Sequence, residues 1–182
     1  MNQIWLIRHG EAFDDVNGTF GGWADDEPTK KAMTEAEKVV EQLSELPIEL
    51  IISSPLKRAL KPAQLFAFKL NVPLEVSGEF KEMNRYGFLT GVSKEDAKQK
   101  YPELIEGLKH YAFSIPGGES YNQLRSRILA GFEKIKQNGK NTLVVSHGAA
   151  IKCLLREKAT PIERDLRDFE IIHMRELSTG LK

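Results

Sequence analysis

The sequence predicts an α/β fold with three layers, in which a mostly parallel sheet has helices on both faces. Short continuous apolar runs occur at residues 4–7, 50–52 and 143–145, and such runs are typical of strands that are buried on both faces. Segments with helical spacing of apolar residues separate these runs along the chain. The length of 182 residues, without a repeat or a linker, predicts a single domain over residues 1–182.

The first long helix follows strand 4–7 after a segment rich in Gly and Asp. Between residues 33 and 46, apolar side chains recur at spacings of three and four, which gives one apolar helical face. Thr34 and Glu37 have the spacing of a capping box, so the helix is expected to begin near them. Pro47 is expected to end it.

The second helix follows strand 50–52 and is predicted over residues 55–70. Pro55 suits a helix start, because the first turn does not need its N–H group. Pro62 lies inside the same segment and is expected to kink or split the helix, since it removes a hydrogen bond and crowds the preceding turn. Residues 74–76 then form a candidate short strand.

The second half of the chain continues the alternation of helices and strands. Ser120 is expected to open a long helix with one apolar face, ahead of strand 143–145. The other predicted elements are two short helices at 93–101 and 102–111, a helix at 149–155 after the strand, and a last strand at 169–174.

Two of the apolar strands end in a His followed by a Gly, at residues 9–10 and 147–148. Arg8 precedes the first of these pairs, and Arg58 lies one turn into the helix after strand 50–52. In an open parallel sheet, ligands bind beyond the carboxyl ends of the strands, so these side chains are expected to share one pocket. The glycines allow close approach of a ligand, and helices that start there direct free N–H groups at it.

Such a pocket suits a phosphate dianion. Two Arg side chains, and two His side chains that donate hydrogen bonds when protonated, can surround its oxygens. An imidazole is also a nucleophile that can accept a phosphoryl group at neutral pH, which divides one difficult transfer into two easier ones. Departure of the leaving group then needs a general acid, for which a nearby carboxyl group is expected.

Other interpretations of these residues remain open from the sequence. A single His or Arg at such a position is more often a packing or surface residue than a catalyst. A metal site using His9, His147 and either Asp14 or Asp15 is conceivable, but no known ligand spacing occurs.

Composition limits the partners. Because 26 Lys and Arg balance 26 Asp and Glu, neither nucleic acid nor a membrane is expected as the main partner. The single cysteine, Cys153, cannot form a bridge within the chain, and no signal peptide or membrane span is expected, so the prediction is a cytoplasmic protein. Nothing identifies an oligomeric surface, and either a monomer or a homodimer fits.

Four segments in order resemble the motifs of the histidine phosphatase superfamily, the phosphoglycerate mutase-like group, in its small phosphatase branch. They are Arg-His-Gly at 8–10, Ser-Ser-Pro-Leu-Lys-Arg-Ala at 53–59, Pro-Gly-Gly-Glu-Ser at 116–120 and Ser-His-Gly at 146–148. The resemblance implies a phosphoglycerate mutase-like fold. It also implies a phosphatase that forms phosphohistidine on a small phosphorylated metabolite, without metal or cofactor.

The resemblance also implies roles for individual residues. His9 corresponds to the nucleophile, and Glu82 to the proton donor, with Glu79 as its nearby competitor. Asp15 stands where the family usually has Asn, and Thr19 where it has Arg, so Asn17 is considered as a substitute phosphate ligand. The residues expected to bind the substrate are Arg8, Asn17, Arg58, His147 and Gly148.

Two alternatives belong to the same family. Mutases carry an Arg pair near the position of Lys109 and His110, and Asn where this chain has Ala149, which favours a phosphatase here. Arg85, Tyr86 and Lys94, in contrast, resemble substrate contacts of the mutases. Protein-phosphohistidine phosphatases are a third possibility, and they lack the acidic Glu.

Overall fold

A computed structural model describes residues 2–110 and 113–174. Within this part of the chain the strands form one five-stranded sheet in the order β3-β2-β4-β1-β5. The first four in that order are parallel to their neighbours, and β5 is antiparallel to β1. The strands are β1 (Ile4–Arg8), β2 (Leu50–Ser53), β3 (Leu74–Val76), β4 (Thr142–Ser146) and β5 (Ile171–His173).

Helices cover both faces of this sheet, which confirms the predicted three-layer α/β fold. The described helices are α1 (Phe13–Asn17), α2 (Lys30–Ser44), α3 (Lys57–Leu70), α4 (Lys94–Lys100), α5 (Pro102–Gly107), α6 (Tyr121–Asn138) and α7 (Gly148–Lys158). No helix among the described residues is long and apolar enough to span a membrane.

Alternate residues of the strands supply two separate cores, because successive strand side chains point to opposite faces. Leu6 and Val144 pack with α6 and α7 on one face. Ile7 and Val145 pack with α2 and α3 on the other. Both faces of β1 and β4 are therefore buried, as their continuous apolar sequence predicts.

A third, smaller apolar cluster lies apart from the sheet. It contains Phe20, Leu89, Ala97 and Ile115, with partly buried neighbours that include Tyr86. This cluster joins the loop after β1 to α4 and to the segment before α6. It supports the long loops that surround the carboxyl ends of the strands.

Helix α2 begins one turn before the expected start. The Thr29 side chain is the N-cap and accepts a hydrogen bond from the Ala32 N–H at 3.1 Å. The predicted capping box at Thr34 and Glu37 is therefore wrong, since Thr34 already lies within the helix and donates its hydroxyl to the Lys30 carbonyl.

Helix α3 is not split at Pro62, contrary to one of the two expected outcomes. It begins at Lys57 and continues to Leu70. The missing N–H group removes one hydrogen bond, whereas Ala59, Ala63 and Phe66 on the same helix are fully buried against the sheet. This packing holds the helix together across the proline.

The remaining predicted elements are present with shifted ends. Helix α6 begins after the Ser120 N-cap as predicted, with Gln123 completing a capping box. Helix α7 is longer than residues 149–155, and β5 is shorter than residues 169–174. The helix expected over 102–111 ends at Gly107, and its last predicted residue lies outside the described part of the chain.

Candidate active site

A cavity of about 480 Å³ lies beyond the carboxyl ends of β1, β2 and β4. The loop after β1, the start of α3, the segment around Glu82 and the start of α7 form its walls. Among the residues expected from the sequence, those that line it are Arg8, His9, Arg58, Glu82 and Gly148.

His9 is only 6% exposed, and its ring orientation is set by its own loop. Its Nδ1 lies 2.7 Å from the carbonyl oxygen of Gly10, so this nitrogen carries the hydrogen and donates it. The Nε2 atom accordingly has a lone pair, and it accepts a hydrogen bond from Arg58 Nε at 3.3 Å. The nitrogen that faces the guanidinium is thus the one able to attack phosphorus.

The environment of His9 keeps its imidazole neutral. Burial, followed by the positive charge of Arg58, lowers the pKa of His9 from 6.5 to about 3. A hydrogen bond to the Gly10 carbonyl opposes this shift but does not reverse it. At pH 7 no proton has to be removed from Nε2, and its lone pair becomes available once a substrate replaces the hydrogen bond from Arg58.

His147 lies against His9, with 4.8 Å between the ring centroids, and is completely buried. Its Nε2 is 2.8 Å from Ser54 Oγ. That oxygen also accepts the N–H of Leu56 at 3.2 Å, and a hydroxyl has both a second lone pair and a hydrogen with which to bind Nε2. The other ring nitrogen, Nδ1, is buried and has no partner among the described residues.

Burial and the neighbouring His9 also lower the pKa of His147 well below its usual value. Both imidazoles are therefore neutral, and each carries one ring N–H rather than the two of a protonated side chain. The positive charge of the pocket is supplied by arginine. His147 itself lies behind His9 and is not among the residues that line the cavity.

Arg58 is 2% exposed and fixed at both ends of its guanidinium group. Nη1 donates to the Ala24 carbonyl and Nη2 to the Gly22 carbonyl, both at 2.6 Å. Together with the bond from Nε to His9, these contacts use three of the five N–H donors. The loop after β1 therefore holds the guanidinium beside the nucleophilic nitrogen before a substrate binds.

Arg8 lines the same cavity and is held by the segment between α7 and β5. Its Nη1 donates to the Leu166 carbonyl at 2.6 Å and lies 3.4 Å from Asp168 Oδ1. Both contacts come from a segment with many charged side chains. No motif in that region indicates them.

Glu82 lies in the cavity wall, beside the N-terminal end of α7. Its Oε1 accepts the Met83 N–H at 2.7 Å, and its Oε2 accepts the Ala149 N–H at 3.4 Å. Glu79 is instead bound by Lys134 and Ser77, which lower its pKa to about 2, and it does not line the cavity. Of the two glutamates, only Glu82 is in a position to donate a proton there.

Asn17 is not brought to the site. It is exposed at the end of α1 and does not line the cavity. Asp15 does line it, but its Oδ2 is directed back to the N–H of Ala12, at 3.1 Å. The neighbouring Asp14 was missed as a cavity residue; burial raises its pKa, and its Oδ1 has no partner among the described residues.

The residues that bear on mutase activity are divided by the structure. Arg85, Tyr86 and Lys94 line the cavity, and the guanidinium of Arg85 donates to the carbonyls of Leu108, His110 and Phe113. Lys109 and His110 do not line it, and Lys109 forms a surface ion pair with Glu106, with 2.7 Å between Nζ and Oε1. The cavity thus contains one group of mutase-like side chains and lacks the other.

The metal-site alternative is not supported by the ring orientations. His9 directs Nδ1 to a carbonyl, and His147 directs Nε2 to Ser54. Across residues 2–110 and 113–174, no three His, Cys, Asp or Glu side chains are grouped as metal ligands.

Comparison with known proteins gives the family. Residues 4–179 match the model of the histidine phosphatase superfamily, branch 1. The chain is 30% identical over 159 residues to the uncharacterized phosphatase PhoE of Bacillus subtilis, covering 86% of this chain and 77% of that protein. It is also 30% identical over 188 residues to a 2,3-bisphosphoglycerate-dependent phosphoglycerate mutase of Beijerinckia indica, covering 97% of this chain and 87% of that protein.

Solved structures show the same fold. An alpha-ribazole phosphatase from Shigella flexneri has a TM-score of 0.81 at 23% identity, with 99% of each chain covered. A mycobacterial glucosyl-3-phosphoglycerate phosphatase has a TM-score of 0.80 at 19% identity, covering 94% of this chain and 90% of the other.

Proposed function

The chain belongs to branch 1 of the histidine phosphatase superfamily, and from this premise we propose that it hydrolyses phosphomonoesters through a phosphohistidine intermediate on His9. The substrate in this proposal is a small phosphorylated metabolite. Nucleic acid and membranes are not among its partners, and the protein acts in the cytoplasm as a monomer or homodimer. The single Cys and the balanced charge support this setting.

One observation carries the proposal. The Nε2 atom of a buried, neutral His9 lines the cavity, and its lone pair accepts the N–H of Arg58 Nε at 3.3 Å until a phosphoryl group takes that place. A nucleophile and a fixed positive charge are thus adjacent, as transfer of a phosphoryl group requires. The start of α7 adds free N–H groups at the same place.

In the first step, the Nε2 lone pair attacks phosphorus as the bond from phosphorus to the ester oxygen breaks. Glu82, as the carboxylic acid, gives its proton to the departing oxygen, so an alcohol leaves. Arg8 and Arg58 stabilise the charge on the phosphoryl oxygens. Catalysis in this step consists of positioning and electrostatic stabilisation.

In the second step, the carboxylate of Glu82 takes a proton from water. The water oxygen bonds to phosphorus while the bond to Nε2 of His9 breaks, which releases phosphate. The enzyme returns to its starting state with Glu82 protonated and His9 neutral. One carboxyl group therefore serves both half-reactions.

A mutase reaction is the second candidate, and Tyr86 and Lys94 in the cavity wall support it. It would transfer the phosphoryl group from His9 to a second hydroxyl rather than to water. Lys109 and His110 lie outside the cavity, so the pair of cations expected to hold a second acidic group in mutases is not there. This favours hydrolysis.

A test of the proposal measures phosphate release from a panel of small phosphomonoesters, including 3-phosphoglycerate and sugar phosphates, with EDTA present. We expect release that persists in EDTA and is abolished in His9→Ala. The control is His110→Ala, an exposed histidine outside the cavity. Isomerisation of 3-phosphoglycerate without release would favour the mutase, and undiminished release by His9→Ala would refute the assignment of the nucleophile.

A further inference from the structure

The guanidinium group of Arg127, on α6, holds the backbone of the segment that carries Glu82. Its Nη1 donates to the carbonyl oxygens of Glu79 and Lys81, at 2.7 and 2.8 Å. Its Nη2 donates to the carbonyl oxygen of Glu82 itself, at 2.8 Å. Three carbonyls within four residues are thus bound to one side chain, and the last of them belongs to the proposed proton donor.

Glu119 completes this arrangement. Arg127 Nε and Nη2 donate to its two carboxylate oxygens at 2.6 and 2.8 Å, which makes a bidentate pair. Glu119 Oε2 also accepts the N–H of Asn84 at 3.2 Å. The backbone is therefore held on both sides of Glu82, by carbonyls before it and by an amide after it.

All five N–H donors of Arg127 are used by these contacts: one on Nε, two on Nη1 and two on Nη2. The side chains of Arg127 and Glu119 are only 17% and 8% exposed. A lysine at this position has three donors from one atom and cannot reproduce the planar arrangement. The geometry is specific to arginine.

An apolar pair of the same volume would often be as stable as a buried ion pair, so stability alone is a weak explanation for this one. Its contacts converge on the segment of residues 79–84, which has no strand or long helix of its own. The Trp23 indole also donates to the Glu82 carbonyl at 2.6 Å. A loop residue that must donate a proton to one oxygen benefits from such external support.

We propose that Arg127 and Glu119 are positioning residues for Glu82, fixing the backbone from which its carboxyl group reaches the leaving oxygen. The pair touches neither substrate nor His9, and it acts only through the placement of Glu82. This inference rests on the proposed function, since it concerns the proton donor of that reaction. Proton donation by Glu82, rather than binding of the phosphoryl group, is then the step that depends on Arg127 and Glu119.

The test compares two substrates that differ in their need for an acid. The phenolate of 4-nitrophenyl phosphate leaves readily without a proton, whereas the alkoxide of n-propyl phosphate does not. The variants are Arg127→Lys, Glu119→Gln and, as reference, Glu82→Gln. The matched control is Arg125→Gln. Arg125 lies on α6, as Arg127 does, and forms an ion pair with Glu157 of α7, with 2.8 Å between Nε and Oε2.

The measured quantity is kcat/KM, because it reports formation of phosphohistidine and not its later hydrolysis, in which Glu82 also takes part. We expect Arg127→Lys and Glu119→Gln to lower kcat/KM for n-propyl phosphate by about 10²-fold, the loss that a displacement of roughly 1 Å can cause. We expect kcat/KM for 4-nitrophenyl phosphate to stay close to wild type. The Glu82→Gln reference should show the same selectivity, with a larger loss. Arg125→Gln should resemble wild type with both esters.

Equal losses of kcat/KM with both substrates would overturn the inference, because they would mean a general structural role. Unchanged kcat/KM for n-propyl phosphate in the two pair variants, while Glu82→Gln is impaired, would overturn it too. If Glu82→Gln loses nothing with either ester, the proposed role of Glu82 fails, and the inference fails with it.

A second readout does not depend on activity. The chain has two tryptophans, Trp5 in the core and Trp23 bound to the Glu82 carbonyl. In ¹⁵N-labelled protein, we expect Arg127→Lys to shift the indole N–H signal of Trp23 and leave that of Trp5 in place. An unshifted Trp23 signal in a folded variant would contradict the proposed support of Glu82.

Discussion

The two buried histidines make the stability of the protein sensitive to mild acid. His9 has its pKa lowered from 6.5 to about 3 by burial and by Arg58, and the pKa of His147 is lowered too. Between about pH 3 and pH 6.5, His9 binds a proton in the unfolded chain but not in the folded chain. The stabilisation is therefore complete above pH 6.5 and is lost as the pH falls toward 3.

The size of the effect follows from the shift at His9. Lowering the pH from 7 to 5 protonates this side chain in the unfolded state and leaves it neutral in the folded state. Linkage gives a loss of about 2 kcal/mol in the free energy of unfolding from this one residue. His147 adds a loss of the same sign. Glu79 and Glu170, whose pKa values are lowered to about 2, lose most of their contribution below this range.

The perturbation is His9→Gln, which removes the titrating group. The free energy of unfolding is measured by urea denaturation with circular dichroism at pH 7 and pH 5, in a buffer without phosphate. We expect the difference between the two pH values to be smaller than in wild type by about 2 kcal/mol. His110→Gln, at an exposed position, is the control and should behave as wild type.

An acid-induced loss in His9→Gln equal to that of wild type would refute this reasoning. It would mean that His9 binds its proton as readily in the folded protein as in the unfolded chain. The lowered pKa that keeps the His9 imidazole neutral in mild acid would then be refuted.

Three further predictions concern single side chains. Glu82→Gln should slow hydrolysis of alkyl phosphates by about 10²- to 10⁴-fold in a phosphate-release assay; no loss with the ester would instead favour phosphohistidine as the substrate. Arg58→Lys leaves the Gly22 carbonyl without its donor and moves the charge away from Nε2 of the nucleophile, so kcat/KM should fall by about 10²- to 10³-fold, and near-wild-type kinetics would contradict this. Gly10→Ala places a Cβ 2.4 Å from the Phe169 ring, and urea denaturation should show a loss of about 1–3 kcal/mol, whereas an unchanged midpoint would refute the packing argument.

The sheet and its principal helices could be predicted because their signals are local. The apolar runs of β1 and β4, the Ser120 N-cap and the helical stripe of α6 each depend on neighbouring residues alone. The strand order and the antiparallel direction of β5 could not, since they arise from contacts between distant segments. The effect of Pro62 could not be predicted from neighbouring residues either, because burial of α3 against the sheet decides whether the helix continues past the proline.

The site was predictable where residues follow strand ends. His9, Arg58 and Gly148 come together because parallel strands direct their carboxyl ends to one edge. The protonation of the imidazoles was not predictable, since burial and the contact between His9 and His147 arise only in the fold.

No sequence pattern distinguishes Arg127 from the other charged residues of α6, although its side chain turns inward to the segment carrying Glu82. Its partner Glu119 lies in the recognised Pro-Gly-Gly-Glu-Ser segment, but spacing alone does not show which arginine it contacts.

The central claim is that His9 accepts the phosphoryl group, and rapid-quench trapping of the enzyme during turnover tests it directly. The quenched protein is kept at alkaline pH, digested and analysed by mass spectrometry, with EDTA present throughout. We expect a phosphoryl group on the peptide that contains His9, and none on that peptide in His9→Ala. Turnover with no phosphoryl group on His9 at any quench time, together with full activity in His9→Ala, would contradict the account.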